Sequence, residues 1–112
     1  MDFVQTTYGS IVVVRSVTNV ANISNAQQMK DFLLGFVQEG YTKIVFDCSN
    51  IETMDSTFLG VLVLIYKQIY GKGGVVGLMG INESISITLG LTKLNEAFKV
   101  FPTLQDVVKE LI

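Results

Sequence analysis

The spacing of apolar and polar positions along the chain predicts an alternation of strands and helices. Strand-forming residues are concentrated in five segments: Asp2–Tyr8, Ile11–Val17, Lys43–Cys48, Val75–Met79 and Phe98–Phe101. The first two are separated by Gly9-Ser10, a two-residue connection typical of a β-hairpin. The third is a continuous apolar run, as expected of a buried central strand, and the fifth is expected at an edge of the sheet. Thr18–Ile23 and Ser49–Met54 are predicted to be irregular.

The first two helices are predicted from start signals and from apolar residues at helical spacing. Ser24 and Gln27 match a capping box, S-x-x-Q, and Gly40 is expected to end the helix that follows. The second helix begins at Ser56 and continues to about Tyr70. The apolar positions expected to face the core are Ala26, Met29, Phe32, Leu33, Phe36 and Val37 in the first helix, and Phe58, Leu59, Val61, Leu62, Ile65, Tyr66 and Ile69 in the second.

Two shorter helices are predicted in the last third of the chain. Asn82 is expected to cap a helix over Glu83–Leu89, which Gly90 closes, and Thr103 opens the last helix with a T-x-x-D start. Their core-facing positions are Ile85 and Leu89, and then Leu104, Val107, Val108 and Leu111. Because strands and helices alternate after an opening hairpin, the pattern predicts one domain, residues 1–112, with helices packed over a mixed sheet.

Composition excludes several classes of function. Hydrophobic residues make up 49% of the chain and charged residues 16%, which is inconsistent with disorder. A net charge of −2 without histidine provides no basic stripe for binding nucleic acid. The longest apolar run, Phe58–Tyr66, is far shorter than the roughly 20 residues that span a bilayer, and no export signal is visible. The single cysteine, Cys48, is expected to pack as a small hydrophobic residue. We therefore expect a cytoplasmic protein without membrane insertion.

The junction between the central strand and the second helix is the main candidate for a functional site. Asp55 takes the cap position and Ser56 the first helical position, where free backbone N–H groups and the positive end of the helix dipole lie. The fold would therefore tolerate a phosphate on Ser56. Thr57 lies about a quarter-turn away, nearer the packed side, so Ser56 is the hydroxyl expected to be accessible. We interpret this junction as a protein-binding switch.

One stripe of the second helix is expected to face solvent or a partner. Ser56, Gly60, Val63 and Lys67 follow the spacing i, i+4, i+7, i+11 and point away from the apolar face. Gly60 leaves room for a partner to approach the hydroxyl closely. A solvated helix face is the alternative interpretation of this stripe, and the residues at its start could be a helix cap without further function.

No cofactor or metal site is predicted. The glycine-rich segment 71–77 fits neither of the phosphate-binding motifs G-x-x-x-x-G-K-[ST] and G-x-G-x-x-G, and a helix end followed by a turn explains it. Asp47, Glu52 and Asp55 could be imagined as a metal cluster, but no histidine accompanies them. A hydrolase using Ser56 as nucleophile is the weakest hypothesis, because the chain offers no histidine base and no G-x-S-x-G sequence.

The segment Met54–Gly60, M-D-S-T-F-L-G, resembles the motif of STAS domains, and specifically that of stand-alone bacterial anti-sigma-factor antagonists. The upstream strand Lys43–Asp47 and the downstream Asn82-Glu83-Ser84 helix start follow the family's order, so the resemblance covers nearly the whole chain. It implies an α/β fold: a STAS-like single domain with a mixed, mostly parallel β-sheet of about five strands and about four helices packed mainly on one face.

The same resemblance implies partners. Such antagonists bind an anti-sigma factor that is an ATP-dependent serine kinase, and so free a sigma factor for transcription. The kinase phosphorylates the serine after the motif aspartate, here Ser56 beside Asp55, which ends binding, and a PP2C-type phosphatase reverses the modification. Asn22 stands where family members often carry an acidic residue, and Phe58 where many have glycine. These departures motivate the alternative of a constitutive STAS scaffold or accessory binding module, in a signalling complex or with a transporter, without phosphorylation.

Overall fold

A central sheet and four helices make up the fold in the computed structural model, which describes residues 3–112. The elements follow in the order β1 (Phe3–Tyr8), β2 (Ile11–Ser16), β3 (Val20–Ala21), α1 (Ile23–Gln38), β4 (Lys43–Asp47), β5 (Thr53–Met54), α2 (Ser56–Tyr70), β6 (Val75–Met79), α3 (Glu83–Thr92), a short 3-10 helix (Leu94–Glu96), β7 (Lys99–Phe101) and α4 (Leu104–Leu111). Five of the strands form one sheet in the order β1-β2-β4-β6-β7.

The sheet is parallel except for its first strand. β1 pairs antiparallel with β2, from Phe3 opposite Ser16 to Tyr8 opposite Ile11. Gly9 between them has a φ of +63°, and this positive φ at the first central position is the pattern of a type II′ hairpin turn. The predicted hairpin is confirmed, although Asp2, the predicted first residue of β1, lies outside the described residues. The remaining neighbours pair in parallel through helical crossovers, which gives the predicted mostly parallel sheet.

Three helices cover one face of the sheet and the last helix covers the other. Alternation in β4 shows the two sides, because Ile44 and Phe46 join the core beneath α1, α2 and α3, whereas Val45 joins the core beneath α4. The fold class and the expected packing of helices mainly on one face are therefore confirmed. Within residues 3–112, no helix has the length and apolar character needed to cross a bilayer.

The predicted apolar faces of the helices lie in the core. All the buried positions of α1 and α2 belong to the predicted sets, which also include two half-buried rings, Phe32 and Tyr66. Phe32 stacks on Phe3 of β1, with ring centroids 4.9 Å apart. In α4, Val107 and Leu111 are buried, while Leu104 and Val108 are half-buried. Cys48 is 1% exposed and packs in the core beneath α1 and α2, as expected of a small hydrophobic residue.

The predicted start of the first helix is wrong. Asn22, not Ser24, is the cap of α1: its side-chain oxygen accepts a hydrogen bond from the Ser24 N–H at 2.9 Å. Asn25 completes a capping box by accepting from the Asn22 N–H at 3.0 Å. Gln27 instead donates to Asp31 one turn along the helix, at 3.0 Å. Asn caps helices as well as Ser does, so cap chemistry alone does not favour Ser24 over Asn22.

The predicted end of the third helix is also wrong. Gly90 does not close α3, which continues to Thr92 and is capped by Lys93 in the left-handed conformation, with a φ of +58°. Glycine in a helix interior costs about 1 kcal/mol relative to alanine, which the neighbouring turns can offset. The hydroxyls of Thr88 and Thr92 donate to carbonyl oxygens one turn earlier, at 3.0 and 2.8 Å.

The two segments predicted to be irregular pair with each other. β3 lies within the segment predicted as an irregular crossing, and β5 lies within the one predicted as a turn. The two form a short parallel pair, with Val20 opposite Thr53 and Ala21 opposite Met54. The pair brings the residues just before α1 beside the residues just before α2.

We expect Gly74→Ala to lower the free energy of unfolding by about 1–3 kcal/mol, because its Cβ would meet backbone that cannot yield. The added carbon would lie 2.7 Å from the carbonyl oxygens of Ile69 and Thr42. Gly35→Ala is the matched control: nothing lies within 4 Å of its Cβ, and the helix propensity of alanine should stabilise α1 by about 0.5–1 kcal/mol. Urea unfolding monitored by circular dichroism measures both. Equal stability of the two variants would contradict the close approach at Gly74.

Candidate functional site

The loop after β4 is held in place at the carboxyl end of the sheet. Asp47 accepts hydrogen bonds from the backbone N–H of Ser49 at 2.9 Å and from its hydroxyl at 2.5 Å. The Cys48 N–H donates to the carbonyl oxygen of Met79 at the end of β6, at 2.7 Å. The chain therefore leaves β4 through a defined turn rather than a free loop.

Two asparagines tie the same loop to its surroundings. Asn50 donates its side-chain amide to the Ser16 carbonyl oxygen at 3.3 Å. Asn82 donates to the carbonyl oxygens of Ile51 and Glu52 at 3.2 and 2.9 Å, and its own side-chain oxygen caps α3 by accepting from Ile85 at 2.8 Å. The predicted cap residue of α3 thus has a second role, since it connects that helix to the approach of α2.

Asp55 connects the starts of two helices through one carboxylate. One oxygen accepts from the Phe58 N–H at 2.9 Å, which caps α2 as predicted, and the other accepts from the Ile23 N–H at 3.0 Å, in the first turn of α1. The backbone N–H of Asp55 donates to the Ala21 carbonyl oxygen at 2.9 Å. Both helix starts place free N–H groups and a positive dipole end near this carboxylate. Asp55 therefore fixes α1 and α2 side by side at this end of the molecule.

Ser56 lies at the first position of α2 and is exposed. Thr57 was expected nearer the packed side, but it is exposed as well, and burial begins only at Phe58. The first turn of α2 stands at the end of the helix layer, where no neighbouring element covers either residue. Accessibility therefore does not distinguish the two hydroxyls, and the preference for Ser56 stays a prediction based on the motif.

The remaining residues of the predicted stripe differ in exposure and in distance from Ser56. Gly60 is exposed, with nothing within 4 Å of the position a Cβ would take. Val63 is half-buried and packs against the core, and Lys67 is exposed in the last turn. Lys67 lies eleven positions after Ser56, or roughly 16 Å along the helix axis at the usual rise. Lys67 shares the face but is not brought to the junction.

Asn22 is brought to the junction, together with Ile23, which the sequence pattern did not predict as a site residue. Asn22 caps α1 directly before Ile23, whose N–H is held by Asp55. The Ile23 side chain is 73% exposed, so a large apolar group stands in solvent beside the start of α2. The sequence feature that could have indicated Ile23 is its position as an apolar residue directly after an asparagine able to cap a helix. The junction therefore comprises Asn22, Ile23, Asp55, Ser56, Thr57 and Gly60.

The carboxylate at the junction is engaged in structural hydrogen bonds. The chain contains no histidine, and both oxygens of Asp55 already accept backbone hydrogen bonds. Among residues 3–112, no group of three or more histidine, cysteine or acidic side chains could hold a metal ion. Burial, with a smaller contribution from the Asp47 carboxylate, raises the pKa of the Cys48 thiol far above its usual range, so this cysteine is not a nucleophile.

We expect Asp55→Ala to lower the free energy of unfolding by about 1–3 kcal/mol, because two helix starts lose an acceptor. Asp55→Asn keeps one carbonyl oxygen, so it can cap one helix and should cost less. Asp31→Asn is the matched control: this exposed carboxylate accepts from Gln27 on the surface of α1, and its loss should change stability by less than about 0.5 kcal/mol. Equal urea midpoints for the two asparagine variants would contradict the double cap.

Comparison with known proteins identifies the family of this chain. The family profile described as STAS domain matches residues 3–107. A relative from Thermotoga maritima, provisionally named an anti-sigma factor antagonist, is 35% identical over 101 residues, or 89% of each chain. The crystal structure of a Thermotoga maritima protein given the same provisional name superposes with a TM-score of 0.86 at 34% identity, covering 96% of this chain and 92% of that one.

A more distant structure shows the same fold. The Bacillus cell fate determinant SpoIIAA, solved in its phosphorylated form, superposes with a TM-score of 0.77 over 99% of this chain and all of that one, at 14% identity. The profile match over nearly the whole chain, together with relatives above 30% identity, establishes the family. The chain belongs to the STAS domain family and groups with its anti-sigma factor antagonists.

Proposed function

We propose that this protein is a phospho-regulated partner-switching antagonist that binds an anti-sigma factor when Ser56 is unmodified and is released when Ser56 is phosphorylated. The partner in this proposal is an ATP-dependent serine kinase, and a PP2C-type phosphatase restores the unmodified form. The observation that carries the proposal is the exposed Ser56 hydroxyl at the first position of α2, beside an aspartate fixed by two backbone hydrogen bonds. Such a role would be carried out in the cytoplasm, where sigma factors act.

The start of α2 can accept a phosphate without loss of the fold. Its first backbone N–H groups have no partner within the helix, and the helix dipole favours negative charge there by about 0.3–1 kcal/mol at an exposed site. Nothing packs over Ser56, so the phosphate would extend into solvent. Modification of the free protein is therefore expected to leave the packing of α2 intact.

The same phosphate would oppose a complex. It adds about −1.5 to −2 charge at pH 7, next to the Asp55 carboxylate. In the free protein, water screens this charge, but a partner pressed against the first turn of α2 would remove that water. Repulsion from Asp55 and the cost of desolvation then act together on the bound state. The modification should break the complex rather than the fold.

The fixed loop supports recognition by a folded partner. Hydrogen bonds from Asn50 and Asn82 and the pairing of β3 with β5 hold the approach to α2 in one geometry. A surface held in its bound shape loses less conformational entropy on association. No catalytic role is proposed for Ser56, because the chain contains no histidine and both oxygens of the neighbouring Asp55 carboxylate accept backbone hydrogen bonds; Ser56 would act as the acceptor in the kinase's reaction.

We expect incubation with the cognate kinase and ATP to add one phosphate to the wild-type protein and none to Ser56→Ala. Thr57→Ala, the matched control for the second exposed hydroxyl, should be modified like wild type. Intact-mass spectrometry and peptide mapping measure both. Label that persists in Ser56→Ala and disappears in Thr57→Ala would assign the acceptor to Thr57. Binding by Ser56→Asp as tight as wild type would favour the constitutive module over the switch.

We expect Gly60→Ala to weaken anti-sigma factor binding about tenfold, because a methyl group one turn beyond Ser56 blocks close approach. The free protein has open space at this position, so the variant should be at least as stable as wild type. Gly35→Ala adds the same methyl group on α1, also into open space, and should bind normally. Calorimetric titration of both variants makes the comparison. Unchanged affinity for Gly60→Ala would exclude this part of α2 from the interface.

A further inference from the structure

The outer side of β1 is unpaired in the part of the chain that the structure describes. β1 is the first strand of the sheet order and hydrogen-bonds with β2 alone. Its four central residues are exposed, including Val4 at 41%. Unpaired backbone N–H and C=O groups along such an edge can pair with another extended chain.

The hairpin turn determines which backbone groups face outward. Tyr8 and Ile11 flank a two-residue turn and therefore exchange both of their hydrogen bonds. Hydrogen-bonded and non-hydrogen-bonded pairs alternate along an antiparallel ladder, so Val4 and Thr6 also bond to β2. The N–H and C=O groups of Phe3, Gln5 and Thr7 consequently point away from β2, toward the open edge.

β1 lacks the features that usually prevent pairing at an edge. Its six residues, FVQTTY, contain no charge and no proline, and its register with β2 has no bulge. The opposite edge is different: β7 has three residues, Pro102 follows it, and its Lys99 forms an ion pair with Glu110 at 3.0 Å. The contrast shows that one edge of this sheet is protected and the other is open.

We propose that β1 pairs antiparallel with β1 of a second copy of this chain, about a two-fold axis at Gln5. The outward groups of Gln5 then exchange hydrogen bonds with those of Gln5 in the second copy, and Phe3 pairs with Thr7. On the opposite face Val4 lies across from Thr6, a β-branched pair that buries part of the exposed Val4 side chain. Because the six residues of β1 carry no charge, two copies of the strand can face each other across the axis without like-charge repulsion.

This dimer does not use the residues of the proposed switch. The pairing joins two five-stranded sheets edge to edge, whereas Ser56 and Gly60 lie on α2. Dimerisation and anti-sigma factor binding therefore involve different residues, and the failure of either proposal would leave the other standing.

Charge placed at the two-fold axis tests the pairing. We expect the wild-type protein to reach twice its 12.3 kDa chain mass in sedimentation equilibrium as its concentration rises. Gln5→Lys and Gln5→Glu should each raise the dimer dissociation constant about fivefold, since they place like charges opposite each other. An equimolar mixture of the two variants should restore association. Gln105→Lys, which adds the same charge at an exposed position of α4, should dimerise like wild type.

Hydrogen exchange supplies a second readout that identifies the edge. The amides of Gln5 and Thr7 should gain protection as concentration rises, while that of Thr6, bonded to β2, should be protected throughout. A wild-type protein that remains monomeric at millimolar concentration would overturn the proposal. So would a dimer whose Gln5 amide stays unprotected, or one that Gln5→Lys leaves unchanged, because the contact would then lie elsewhere.

Discussion

The carboxylate of Asp55 is the constraint on which the arrangement of this end of the molecule depends. Its two oxygens accept hydrogen bonds from backbone N–H groups in the first turns of α1 and α2. The bond to α1 comes from Ile23, which lies 32 residues before Asp55 in the sequence. Parallel strands on either side of a right-handed crossover already make neighbouring helices run in the same direction, so both helices begin at the same end of the sheet. The shared cap converts that general proximity into a fixed distance between Ile23 and Ser56.

The double cap also determines which groups of the junction remain available for contact with a partner. Because both oxygens of Asp55 are occupied by backbone N–H groups, the adjacent Ser56 hydroxyl has no carboxylate oxygen reserved for it and faces solvent. The Ser56 hydroxyl is therefore exposed to solvent without being activated by the carboxylate, as the proposed role of a residue modified by another protein requires. The Ile23 side chain is exposed and its backbone N–H is held by the same carboxylate, so the junction places one exposed apolar group near one exposed hydroxyl.

Features that depend on local periodicity could be predicted from the sequence, and features that depend on contacts between residues distant in sequence could not. The five strands of the main sheet, the buried faces of α1 and α2 and the cap at Asp55 follow from spacing and cap chemistry within one element, whereas β3 and β5 do not. The start of α1 does not follow from local sequence, because Ser24 and Asn22 are equivalent as isolated caps. The observed start, after Asn22, occurs together with two long-range interactions: the hydrogen bond from Ile23 to Asp55 and the pairing of β3 with β5. Exposure of Thr57 likewise depends on where neighbouring elements stop, which spacing along one helix does not encode.

Asn22 has a consequence for the electrostatics of the junction. The Asn22 amide caps α1 without adding charge, whereas an acidic residue at this position would add a carboxylate to the junction. In the proposed switch, a phosphate on Ser56 would then be repelled within the free protein by Asp55 and not by a second carboxylate at position 22. In the free protein, such a phosphate would meet less like-charge repulsion than it would with an acidic residue at position 22. In the proposed switch, discrimination between the two forms would therefore come mainly from the surface of the partner, where removal of water makes the same charge far more costly.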